Sequence, residues 1–218
     1  EKPAVVFAPH VETSTGIILP DDYLVKIAAA VHAHGGLFVL DCIASGTIWV
    51  DMKATGVDAI LSAPQKGESI LRTFVRAISL TLLFFSLFTG WTGPACSSLI
   101  MLSERGDYAT RNTTSTSMVI NMRKWLEVMD SYNAGGFAYY TTMPTDALNL
   151  FRDAALETKE LGFGKAKQLA WDLGNECRDM MKSKGLRTVS APGYEAPGVN
   201  VWYTQSPDMF QKFKAEGF

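Results

Sequence analysis

The chain of 218 residues is 47% hydrophobic and 19% charged with a formal net charge of −2, a globular composition with apolar mass for one sizeable core and part of a second domain. There is no positive excess to neutralise phosphates, so no nucleic acid partner is expected, and short basic pairs such as Arg123-Lys124 read as solvated helix faces. Three scattered cysteines, Cys42, Cys96 and Cys177, make neither a disulfide framework nor a CxxC metal pair, so no metal is expected and a reducing, intracellular compartment fits.

"PAVVFAPH" (3–10) is nearly continuously apolar, as a parallel strand buried on both faces should be. A polar turn follows, then a helix opened by Pro20-Asp21-Asp22, carrying Leu24, Ile27, Ala28 and Val31 at helical spacing and stopped by Gly35-Gly36. "LFVLD" (37–41) is the next strand, a short helix spans 51–55, and "VDAILSAP" (57–64) is a third strand. Strands alternating with helices predict an α/β, mostly parallel sheet with helices on both faces. In such sheets ligands gather at the carboxyl ends of the strands, where Thr13, Asp41 and Lys66 all fall. Glu68 to Gly90 interrupts this order. It runs from a basic start into the apolar stretch Ala77 to Trp91, about fifteen residues against the roughly 18 to 20 of a membrane-spanning helix, so no membrane association is expected.

Beyond the interruption, "SSLIMLS" (97–103) restores strand character. Residues 117–130 predict an amphipathic helix with Val119, Met122, Trp125, Leu126 and Met129 as its core face. A loop, "NAGGFAYYTTMPTDAL", enters a helix at Thr145 or Asp146. A long helix over about 164–184 and strands "LRTVS" and "VNVWYTQ" predict the opening of a small α+β domain, dividing the chain at 1–157 and 158–218. The chain starts at Glu1 without Met and shows no targeting peptide, and both ends read as cut.

Singly, a strand-ending Asp caps a turn and a Lys after a strand is solvated. Together, Asp41 in "LFVLDCIAS" and Lys66 in "LSAPQK" place an anion and an amine at neighbouring strand ends. "HVETSTG", "LDCIASGTIWVDMKATGVDAILSAPQKG" and "WTGPACSSLIMLSERG" resemble the class V, fold type I pyridoxal 5'-phosphate aminotransferases, in the alanine-glyoxylate (serine-pyruvate) branch. The likeness extends through "AYYTTMPTDAL" and covers most of the chain. It implies a transaminase moving an amino group from alanine or serine to glyoxylate or another 2-oxo acid. Lys66 would be the amine that condenses with the cofactor aldehyde, and Asp41 the carboxylate that keeps the pyridine nitrogen protonated. By the same resemblance Thr13 would bond the ring's phenolic oxygen, Ile43 would pack under the ring, and Gln65 would sit near the phosphate. Tyr139 and Thr142 would reach the cofactor phosphate of the other subunit of a homodimer. His32 and His34 close a helix, where a cation is favourable. His10 is expected at most to support residues that touch the ligand, and Cys42 to be a buried small residue.

The sequence departs from that family at three places. Removing residues 68–90, 23 in all, recreates the expected "SAPQKGWTGPACSSL". Gly67-Glu68-Ser69 can be encoded with a splice donor and Thr89-Gly90 with an acceptor, and Leu80-Thr81 permits a branch-point-like string, so the segment is expected to be a translated intron. The alternative is a real loop beside the site. The upstream phosphate-binding turn and ring-stacking aromatic are absent, and the substrate-carboxylate arginine is expected beyond Arg187, the last arginine. Two other functions compete: a class V lyase or cysteine desulfurase, needing a mobile catalytic cysteine, and a non-catalytic chain. A nicotinamide enzyme is disfavoured, because no GxGxxG follows any strand.

Overall fold

The computed structural model describes residues 4–66, 93–204 and 206–217. The expected insertion at 68–90, with its apolar run, lies outside the described residues.

A four-stranded mixed sheet organises the chain, in the order β1 (Val5–Pro9), β4 (Leu37–Asp41), β5 (Ala59–Ser62), β6 (Leu99–Leu102). The first three are parallel and β6 is antiparallel to β5. A small antiparallel hairpin, β2 (Val11–Glu12) and β3 (Ile17–Ile18), stands beyond the end of β1. Helix α1 (Asp21–His32) carries two carboxylates in its first turn and His32 in its last, matching the helix dipole at both ends. Its Leu24, Ala28 and Val31 recur at spacings of four and three and pack on Phe38 and Leu40 of β4 together with Val57 and Ile60. Each fully buried side chain among them contributes about 1.5–3 kcal/mol. Helix α2 (Met52–Thr55) is capped by Asp51, whose carboxylate accepts from the Lys53 and Ala54 amides.

The face of β1 turned from this core differs from the sequence expectation. Val5 and Phe7 are 51% and 57% exposed, because β1 is the sheet's edge among the described residues and one of its faces is uncovered.

Asp58, buried just before β5, ties the amino end of the sheet together. Its carboxylate accepts from the Phe38 amide at 2.8 Å and bonds His32 Nε2 at 2.7 Å, with Ser103 Oγ at 3.3 Å and Arg105 Nε at 3.8 Å. His32, unassigned from sequence, is thus a fastener between α1 and β5. Ser103 also caps α3 (Glu104–Arg111) by accepting from the Gly106 amide.

Helix α4 begins at Met122 and ends at Asn133, five residues later than the predicted start, because Asn121 caps it. The predicted core face is not buried: Val119 precedes the helix and is 77% exposed, and Met129 is 54% exposed. Trp125 is half-buried and meets Tyr140 edge-on at 5.4 Å.

Helices α5 (Thr145–Leu161) and α6 (Phe163–Ser183) follow, broken at Gly162, so the expected division at 157/158 falls inside α5. Trp49 anchors α6 to the loop after β4: its ring meets Phe163 at 5.5 Å and its Nε1 donates to the Phe163 carbonyl at 3.0 Å. The two predicted C-terminal strands pair antiparallel only through a bridge between Thr188 and Trp202, with Val189 N donating to Val201 O and Tyr203 N to Arg187 O. A short helix α7 (Met209–Ala215) ends the described chain. Residues 194–199 are stitched to the β2–β3 hairpin by Ile18 N to Tyr194 O and Ala196 N to Gly16 O. Val11, Ile18, Ile48 and Ala196 form a second core there. No helix among the described residues is long and apolar enough to cross a membrane, and they hold no cluster of metal-ligating side chains.

Candidate active site

Pro9, Asp41 and Leu61 form one row across β1, β4 and β5, so the three parallel strands end together. Asp41 is the last residue of β4. Its carbonyl accepts from the His10 amide at 2.8 Å, and the next amide, Cys42 N, donates to Leu61 O at 2.8 Å. The half-buried Asp41 carboxylate turns back on its own chain, with Oδ1 accepting from the Ile43 amide at 2.9 Å. Its other oxygen makes no hydrogen bond among the described residues. Ile43 is half-buried in the same turn.

Lys66 and Gln65 follow β5 in a tight turn closed by Lys66 N to Ala63 O at 3.2 Å, and both are exposed. The chain returns beside this turn, where Gly93 N donates to Pro64 O at 3.0 Å. No carboxylate pairs with the Lys66 ammonium among the described residues.

Thr13 is exposed at the tip of the β2–β3 hairpin. Glu12 ties that turn: its carboxylate accepts from Ser14 N at 3.0 Å, Ser14 Oγ at 2.6 Å and Thr15 Oγ1 at 2.8 Å. These bonds, from Ser14 first, hold its pKa down at about 2. Gly16 closes the turn at φ +69°, and a Cβ there would stand 2.6 Å from Val199 O, so only glycine fits.

Tyr139 and Thr142 lie in the loop that joins α4 to α5. Both are exposed there, bonded to one another at 3.0 Å between Oη and Oγ1. The neighbouring Tyr140 instead donates to the Met118 carbonyl.

Sequence reasoning gave His10 at most a supporting place. His10, 1% exposed, lies directly beyond β1 with Nδ1 2.7 Å from Oγ of the buried Ser45. A polar residue ending an apolar strand was its only signal, and Ser45 stands 35 residues away. Burial lowers the His10 pKa to about 4, with Asp21 opposing and Lys167 adding to the effect, so the imidazole is neutral near pH 7. Burial also pushes the Cys42 thiol up to about 12, and raises Cys177. Neither is a ready thiolate.

The mostly parallel sheet with its packed helices defines the class of the chain by fold: it carries part of the fold type I pyridoxal-phosphate transferase fold. No protein-family model matches. The chain is 29% identical over 224 aligned residues to alanine–glyoxylate aminotransferase 1 of Saccharomyces cerevisiae, an alignment covering 97% of this chain and 51% of the yeast protein. Its structure is similar to that of alanine–glyoxylate aminotransferase from Nostoc sp., with a TM-score of 0.76 and 19% identity over 96% of this chain and 49% of that one. It is similar also to ureidoglycine–glyoxylate aminotransferase from Bacillus subtilis, with a TM-score of 0.69 and 21% identity over 94% of this chain and 46% of that one. The chain therefore spans about half the length of these relatives.

Proposed function

We propose that the chain belongs to a pyridoxal 5'-phosphate-dependent transaminase that moves an amino group from alanine or serine to glyoxylate or another 2-oxo acid. What supports this reading is the place of Asp41 at the end of β4, of Lys66 in the turn after β5 and of Thr13 in the hairpin that follows β1, in a chain similar to proteins named for glyoxylate transamination. The donor set fits the ring of the cofactor: a carboxylate with one oxygen uncommitted for the pyridine nitrogen, an amine for the aldehyde, and a hydroxyl for the phenolic oxygen. When bound, that cofactor supplies an electron sink for the charge that develops at the amino acid's α-carbon.

The residues of the chain do the rest. Asp41 would hold a proton on the ring nitrogen through its uncommitted carboxylate oxygen, the other being held by the Ile43 amide. Ile43 would lie against the ring face and Gln65 near the phosphate. Lys66, exposed where substrate can reach it, would hold the cofactor and serve as the base at the α-carbon. Among the described residues Arg178 is buried against Asn200 and Ala196, and Arg187 lies over the Tyr203 ring at 4.5 Å.

Tyr139 and Thr142 complete the site of a second subunit in a homodimer. The exposed Met118, Val119, Ile120 and Phe137 beside them support a covered surface there. Residues 68–90 are read as foreign to the site, and the meeting of the flanking chain at Gly93 and Pro64 is consistent with a direct connection there. A large domain with the start of a small one, and an intracellular location suited to three free thiols, complete the reading. The desulfurase alternative finds no support in Cys42 or Cys177.

Amino transfer from alanine and serine to glyoxylate, measured in the full-length protein lacking 68–90, tests the proposal. Lys66→Ala is expected to lose about 10²–10⁴-fold and Asp41→Asn about 10²–10³-fold in rate. Undiminished transfer by Lys66→Ala overturns it.

A further inference from the structure

Asp41 owes its position to a turn that its own strand does not fix. After Asp41 the chain leaves β4 and folds over residues 42–45, with Ser45 N donating to Cys42 O at 3.2 Å. That turn carries Ile43 and presents the amide on which Asp41 Oδ1 rests. Ser45 is 3% exposed, and its hydroxyl is bonded to Nδ1 of His10. His10 is itself fixed by its backbone, donating to Asp41 O and accepting from Leu19 N at 2.9 Å. One residue thus grips both ends of the turn, by main chain at Asp41 and by side chain at Ser45.

We propose that His10 is a positioning residue for Asp41: through Ser45 it sets the turn that aims the Asp41 carboxylate and places Ile43, an inference that rests on the transaminase reading for its consequence. The neutrality of the imidazole agrees, since a charge there would be buried without a carboxylate in contact. A hydroxyl–imidazole bond at 2.7 Å between two buried side chains resists rotation of Ser45, and the Asp41 carboxylate, held by the Ile43 amide of the same turn, inherits that order. His10 touches no group that reacts.

The test uses the full-length protein lacking residues 68–90 in two arms. In the cofactor-free protein, amide hydrogen exchange at Ile43 and Ser45 is expected to quicken at least about tenfold in His10→Leu and in Ser45→Ala, relative to the amides of β4. His10→Asn, which keeps a polar atom near the Nδ1 position, restores part of the protection. With pyridoxal phosphate as the probe, the same two variants bind about tenfold or more weakly with a shifted visible band, and the double variant is no worse than the worse single one. Asp58→Asn serves as control, lowering the urea midpoint while leaving affinity and band unchanged. Unchanged exchange at Ile43 in Ser45→Ala overturns the proposal even if His10→Leu fails to fold, and so does wild-type affinity with a wild-type band. If the unmodified protein takes up no pyridoxal phosphate, the transaminase reading fails, and the cofactor-free arm still decides whether His10 sets the turn.

Discussion

His10 carries a pH dependence that follows from its burial. Its pKa falls from 6.5 to about 4 on folding, so between those values the unfolded chain binds a proton that the folded chain refuses. Stability is full above about pH 6.5, falls as pH drops towards 4, and loses nothing more from this group below that. At 1.36 kcal/mol for each pKa unit, the loss across the window is about 3 kcal/mol. Urea midpoints at pH 7.5 and 4.5 check this against His10→Asn, which cannot titrate: the fall is expected to be clearly steeper in the unmodified protein. Parallel profiles contradict the assignment. Glu12 behaves oppositely, because hydrogen bonds hold its pKa near 2 and keep the Thr13 turn tied through the whole of that range.

At the scale of elements, the close approach of α6 to residues 196–199 is sensitive to a single atom. A Cβ at Gly174 would meet Pro197 O at 2.4 Å and Pro197 Cα at 2.7 Å, both backbone atoms. Helix propensity favours alanine over glycine there by up to about 1 kcal/mol, whereas forced overpacking costs about 1–3 kcal/mol, so the clash wins. Gly174→Ala is expected to lower the urea midpoint and to speed exchange at the Ala196 amide, which bonds Gly16 O beside the Thr13 turn. An unchanged Ala196 amide contradicts that coupling. Elements with local signals were legible in the sequence: β4 at 37–41, α1 from its acidic start to its glycine stop, and α2, read as a short helix at 51–55. The positions of Asp41 and Lys66 in the fold were legible for the same reason, since Asp41 ends β4 and Lys66 follows β5, both strands that the apolar pattern marks. Three features were not legible, because each depends on contacts far away in sequence: the exposed face of β1, the unburied stripe of α4, and the His10–Ser45 bond. The C-terminal strands were misjudged in extent, because β-rich composition does not say how many pairings form.

For the whole molecule, the junction around Lys66 decides whether the sheet's edge is a working site. The return of the chain at Gly93 beside Pro64 leaves a short gap from Lys66, and Gly67, Trp91 and Thr92 suffice to close it, at about 3.3–3.6 Å per extended residue. A full-length protein without residues 68–90 is expected to be soluble, dimeric and cofactor-bound. The same protein retaining them is expected to be largely insoluble or cofactor-free, since a displacement of about 1 Å near a reacting lysine can cost about a hundredfold in rate and the apolar run favours aggregation. Sedimentation and visible absorbance compare the two, and equal behaviour contradicts the reading of the segment as foreign.

The most direct test of the account is chemical. The full-length protein without residues 68–90 is incubated with pyridoxal phosphate, reduced with borohydride, digested, and mapped by mass spectrometry. The account predicts one pyridoxyl mass increment on the peptide containing Lys66, together with its loss in Lys66→Ala. Labelling of another lysine, or none with visible cofactor bound, contradicts it.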